Sequence, residues 1–129
     1  MNAETRPLLV VDAANVMGSV PDGWWHDRSA AAVRVRDALA PIAAEGRAGL
    51  PAEPPLEVVL VTEGAARGVE STPQVRVVLA AGSGDDEIVD LVRAADPARR
   101  RIVVTADRGL RSRVRDLGAE VVGPRTVYP

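Results

Sequence analysis

Apolar residues fall along this chain as short unbroken runs separated by segments of helical period. Leu8-Leu9-Val10-Val11 runs straight into Asp12-Ala13-Ala14-Asn15-Val16, and the run Glu57–Thr62 ends in Glu63-Gly64. Runs of this kind read as strands buried on both faces, the state of parallel strands in an α/β sheet. Ile102-Val103-Val104-Thr105 and the short Glu120-Val121-Val122 read the same way. Val75-Arg76-Val77-Val78-Leu79 alternates in part, which suits a sheet edge with Arg76 facing out.

Helical pattern occupies the intervals. Residues 29–44 carry Ala30, Val33, Ala38 and Leu39 on one stripe, with Asp27 or Ser29 positioned as a cap. Pro41 is expected to kink or end that helix near Leu39 or Ala40. Ala81-Gly82-Ser83-Gly84 turns into a helix bearing Ile88, Val89, Leu91, Val92 and Ala95, with Pro97 just past its end. Residues 108–117 form the next helix, stopped by Gly118. Residues 17–23, 46–55 and 123–129 read as loop, surface connection and tail, and 65–73 as irregular or a short helix. Strands alternating with helices predict one domain over 1–129, a parallel sheet between two helical layers, α/β/α, with right-handed crossovers.

Composition narrows the picture. At 129 residues and 47% hydrophobic, the chain has enough apolar surface for a core. No apolar run approaches the roughly 18 residues of a membrane span. The N-terminal segment lacks the basic start and apolar centre of a signal peptide, so a cytoplasmic protein with no membrane partner is expected. There is no cysteine and a single histidine, which excludes disulfides and disfavours zinc. The net charge of −2 does not suggest a protein coated in nucleic acid. Every basic residue is arginine, and the only aromatic residues are Trp24, Trp25 and Tyr128.

Acids recur where strands end. Asp12 ends the first, Glu63 the second, Asp107 follows the fourth, and Asp85 and Asp86 open the helix after the third. All strand carboxyl ends of a parallel sheet lie on one edge, where α/β proteins bind ligands. Carboxylates meeting there repel one another, and a hard cation, Mg²⁺ or Mn²⁺, relieves that repulsion through oxygen ligands. Each acid also has a plainer role. Asp12 could start a turn, Ser83 or Asp85 and Asp107 could cap helices, and Asp86 and Glu87 could oppose a helix dipole. Trp24 and Trp25 offer a nucleobase stack or, alternatively, packing on the helix or on a second copy in a homodimer. Arg28 and Arg108 could contact phosphate. His26 reads as a loop residue, and Arg99-Arg100-Arg101 as a solvated turn at the opposite edge of the sheet.

Three motifs together, Val10-Val11-Asp12-Ala13-Ala14-Asn15-Val16, Gly84-Asp85-Asp86-Glu87-Ile88 and Val104-Thr105-Ala106-Asp107-Arg108-Gly109-Leu110, resemble the NYN family of PIN-like metal-dependent nucleases in order and spacing. The resemblance covers nearly the whole chain, and residues 18–28 are similar to a small bacterial branch of that family. It implies a parallel sheet of order 3-2-1-4-5 and cleavage of RNA with Mg²⁺ or Mn²⁺. By position it implies a catalytic site of Asp12, Asn15, Asp85 and Asp107. The metal would be held by Asp12, Asp85, Asp107 and the neighbouring Asp86. Members of the branch often carry a nucleoside triphosphate pyrophosphohydrolase label, which keeps that activity as a rival. A catalytically silent module binding RNA or protein is the third reading. The family more often has Asp where this chain has Glu63.

Overall fold

A computed structural model of the protein describes residues 5–128; residues 1–4 and 129, part of the N-terminal segment and the end of the tail, lie outside it. Five parallel strands, β1 (Leu8–Asp12), β2 (Glu57–Thr62), β3 (Val75–Leu79), β4 (Arg101–Val104) and β5 (Glu120–Val122), form one sheet. Its order is β3-β2-β1-β4-β5, so β1 pairs with both β2 and β4. This is the α/β architecture and the order that the resemblance implies.

Side-chain alternation divides the core into two layers. Leu9, Val11, Val58, Leu60, Ile102 and Val104 point to one face, where α1 (Ala13–Met17) and α2 (Arg28–Glu45) cover them with Val16, Val35 and Leu39. Leu8, Val10, Val59, Val61 and Val103 point to the other, under Ile88, Val89 and Val92 of α3 (Gly84–Ala94) and Leu110 and Val114 of α4 (Arg108–Asp116). The chain leaves β1 toward β2 and returns from β3 to β4 on the other side. The carboxyl ends of β1 and β4 therefore flank a topological switch point.

Several expectations need correcting. Helix α2 runs unbroken through Pro41 to Glu45 instead of kinking near Leu39. The exposed Pro41 gives up one backbone bond, but Ile42 and Ala43 behind it are buried in the core, and their burial carries the helix onward. The tail is not loose: Pro124–Thr126 forms a 3₁₀ turn and Val127 is fully buried. Nor is the arginine run a solvated turn. Arg101 belongs to β4 and is buried, its guanidinium donating to the carbonyls of Val92 and Arg99. Arg99 pairs with Glu57 at 2.6 Å, and Arg100 bridges to Glu120. Gly118, at φ +91°, follows α4 in a backbone conformation that favours glycine, and a Cβ there would lie 2.9 Å from the Arg101 guanidinium.

Among the described residues, no helix is long and apolar enough to cross a membrane.

Candidate active site

Asp12 is the last residue of β1 and is only 6% exposed. Its Oδ1 caps the short helix α1, accepting from the Asn15 amide at 3.4 Å. Its Oδ2 accepts from the Thr105 hydroxyl at 2.9 Å. Burial raises the Asp12 pKa to about 6; the two hydrogen bonds lower it, and the neighbouring carboxylates of Asp85 and Glu63 raise it again.

Two further bonds tie the turn after β4 to this point. Thr105 Oγ1 accepts from the Asp107 amide at 3.1 Å, and the Asn15 carboxamide oxygen accepts from the Ala106 amide at 2.8 Å. Thr105 thus links Asp12 to Asp107 across adjacent strands. Sequence reasoning passed it over, because a threonine ending a strand looks like ordinary β-propensity; its position two residues before Asp107 was the available signal. Asp107 caps α4 through the Leu110 amide at 2.8 Å and remains exposed, so the capping and site roles coincide.

The α3 start closes the third side. Ser83, not Asp85, is its cap, accepting from the Asp86 amide at 3.1 Å. That leaves the Asp85 carboxylate free. Partial burial raises its pKa, with Asp107 and Glu63 adding to the rise and Arg113 opposing it. Glu63 reaches from the end of β2 to accept from the Gly84 amide at 2.7 Å. A Cβ on Gly84 would lie 2.5 Å from that carboxylate oxygen, so the approach depends on glycine. The acid at Glu63 therefore joins the group despite its departure from the family pattern.

Not every expected residue comes together here. Asp86, expected as a metal ligand, faces solvent and pairs with Arg113 at 3.0 Å, because one helical step beyond Asp85 turns it off the crevice. His26 is exposed beside Trp25. Trp24 is half-buried against the core, whereas Trp25 is 53% exposed and meets Trp24 edge-on. Arg28 lies over the Trp24 ring, 5.2 Å from its centroid. Arg108 is exposed beside Asp107 and has no acid partner among the described residues.

Among the described residues, no three acid or histidine side chains form a ready-made metal cage. The donor chemistry still suits a hard cation. A carboxylate buried at the strand end faces two others, all donors are oxygen, and Mg²⁺ usually takes only one or two protein carboxylates, filling the rest with water and phosphate oxygens. Asp12 and Asp85 could provide that pair, with Asp107 and Glu63 alongside.

The fold and its edge define a class: a three-layer parallel α/β protein with carboxylates gathered at the sheet's switch point. Among solved structures, the chain is similar to Rae1 (YacP) from Bacillus subtilis. A mutant form of Rae1 matches with a TM-score of 0.75 at 18% identity, over 94% of this chain and 72% of the other. A second Rae1 structure matches with a TM-score of 0.73 at 21% identity, over 92% and 70%. At that identity the likeness establishes the shared fold. No protein-family model and no curated protein matches the chain.

Proposed function

We propose that the protein is a metal-dependent nuclease of the NYN type that hydrolyses phosphodiester bonds in RNA. The observation that carries this reading is the buried Asp12 carboxylate at the end of β1, with Asp85 and Glu63 near enough to raise its pKa and Thr105 linking it to Asp107. Asp12 and Asp85 would hold Mg²⁺ or Mn²⁺, with Asp107 acting directly or through water. When bound, such an ion supplies charge to a phosphoryl oxygen and acidifies an attacking water. Asn15 uses its carboxamide oxygen on Ala106, which leaves its NH₂ to donate to a phosphate oxygen. Thr105 fixes the orientation of the Asp12 carboxylate through its hydroxyl.

Charge on the flanking surface favours a polymer over a free nucleotide. Arg108, Arg111 and Arg115 line one exposed hollow on α4, and Arg125 lines a second beside Asn15 and Ala106. None of the four has an acid partner among the described residues, whereas Arg93, Arg99, Arg100 and Arg113 are all paired. Arg108, next to Asp107, and Arg125, beside Asn15, are exposed and suit a phosphate backbone, whereas Arg111 donates to the Thr105 carbonyl and Arg115 shares its hollow with Asp116.

The test is incubation of purified protein with single-stranded RNA and, separately, with nucleoside triphosphates, each with Mn²⁺, Mg²⁺ or EDTA. Metal-dependent RNA fragments, absent in Asp12→Asn, are the expected result. Pyrophosphate release from triphosphates without RNA cleavage would move the assignment to a pyrophosphohydrolase. No turnover of either substrate would refute catalysis.

A further inference from the structure

Beside the acids lies a second, more enclosed feature that the hydrolysis itself does not require. It is a cleft of about 190 Å³ between α1, the 3₁₀ turn Trp24–His26 and the 3₁₀ turn Gly64–Ala66. Ala13, Ala65 and Met17 line it along with Trp24, Arg28 and Glu63. Its small residues leave the space open. Trp24 is held half-buried at one wall by its contact with the core. Gly23, at φ +80°, makes the turn that delivers it. The Arg28 guanidinium covers the ring, and no acid among the described residues neutralises it. Glu63 is shared: one carboxylate oxygen is fixed by the Gly84 amide, while the same side chain lines the cleft and acts on Asp12.

A cleft lined by an indole, a guanidinium over that indole and an acceptor carboxylate matches a planar heterocycle with N–H donors on its edge. Single-stranded nucleic acid is recognised in this way, by stacking on aromatic and guanidinium planes with hydrogen bonds to the base edge. We propose that this cleft is a single-nucleobase subsite. It receives one unpaired base next to the cleaved phosphate, stacked at Trp24 and Arg28 and donating to Glu63. The proposal rests on the nuclease reading for its place beside the cleaved phosphate. Binding of the base itself is measurable without cleavage.

Glu63 also sets a preference. Guanine, adenine and cytosine each carry an exocyclic amino donor for a carboxylate to accept from. Uracil flanks its single N–H with two carbonyl oxygens, which a carboxylate repels. Uracil is therefore the disfavoured base.

In Trp25→Phe, Trp24 is the only tryptophan, so its fluorescence reports the cleft alone. The probes are GMP, AMP, CMP, UMP and ribose 5-phosphate, each titrated in EDTA. Saturable quenching by the three amino-bearing nucleotides is expected, with UMP binding about tenfold more weakly and ribose 5-phosphate not at all. Adding Ala65→Leu, at an exposed position on the cleft wall, should weaken nucleotide binding about tenfold or more by filling the slot. Adding Glu63→Gln, which keeps an acceptor for Gly84, should abolish the discrimination against uridine. Equal response to ribose 5-phosphate, or unchanged nucleotide binding with Ala65→Leu, would overturn the subsite. Nucleotide binding of the expected pattern without RNA cleavage would uphold the subsite and refute the nuclease reading.

Discussion

Replacing Asp12 by asparagine should make the metal-free protein more stable at neutral pH while removing the RNA cleavage proposed for it. The carboxyl has an ordinary pKa of 3.8 and is pushed up to about 6 in the fold, chiefly by burial. The folded chain therefore holds a proton that the unfolded chain releases. Stability from this group is fully present below pH 3.8, and it is lost as the pH rises through about 6. At about 1.4 kcal/mol per pH unit, the full loss is about 3 kcal/mol. Asparagine is neutral throughout and keeps an oxygen for the Asn15 amide. Its poorer match to the Thr105 hydroxyl costs about 1 kcal/mol.

Asp12→Asn is therefore expected to be the more stable form by about 2 kcal/mol at pH 8, equivalent to roughly 6–10 °C in Tm, with the advantage gone near pH 4. Urea unfolding of both proteins in EDTA across that range measures the gap directly. Added Mn²⁺ should then stabilise the wild type, because a ligand that binds only the folded state adds stability, and should do little for the variant. An asparagine variant less stable than wild type at pH 8, or a gap that does not change with pH, would refute the account of Asp12 as a buried, unneutralised charge.

Asp107→Asn should keep the α4 cap and lose activity. Asp107→Ala should lose both, at about 1 kcal/mol of stability, read by urea unfolding beside the RNA cleavage assay. Arg101→Ala should destabilise the fold by about 2–3 kcal/mol, because it leaves a cavity and removes the donor to the Val92 carbonyl; a change below half a kcal/mol in urea would contradict that. Pro41→Ala should raise stability by about 1 kcal/mol, since the exposed site lies inside a continuous helix and alanine restores the missing backbone donor. A loss of Tm in that variant would show that the local backbone is built around the proline ring.

The strands were legible because burial on both faces leaves an unbroken apolar run. β2, β3 and β5 have the expected limits, while β4 is shifted by one residue at each end, starting at Arg101, a charge that no apolar pattern would include, and ending before Thr105. The sheet order was not in any periodicity; it came with the three acidic motifs, whose spacing resembles a known family. What the sequence hid depends on tertiary contacts. Helix α1 has five residues, too few for a helical period to register, and it is defined by the Asp12 cap. Pro41 stays helical because the residues after it are buried. Val127 looks like tail until the 3₁₀ turn folds it into the core. Among the acids, Asp85 and Asp86 are indistinguishable as letters, and a single helical step sends one to the crevice and the other to Arg113.

The order β3-β2-β1-β4-β5 also explains how these acids are held side by side. Because β1 lies between β2 and β4, Asp12 has an acid-bearing turn on each side. Each turn is tied back by an uncharged group: Thr105 and Asn15 hold the turn after β4, and the Gly84 amide holds Glu63 after β2. These bonds orient the carboxylates but neutralise none of them, so repulsion persists in a structure that does not spread apart. Burial is the larger cause and the neighbouring carboxylates add to it, so Asp12 and Asp85 both shift toward the protonated form. A cation entering the crevice would replace that proton. Metal binding should therefore release protons, and its affinity should fall as the pH drops below about 6, the value at which Asp12 takes up its proton. Calorimetric titration of Mn²⁺ in two buffers of different ionisation enthalpy measures that release at pH 6. Binding with no proton released would mean that Asp12 is already ionised, or that it is not a ligand.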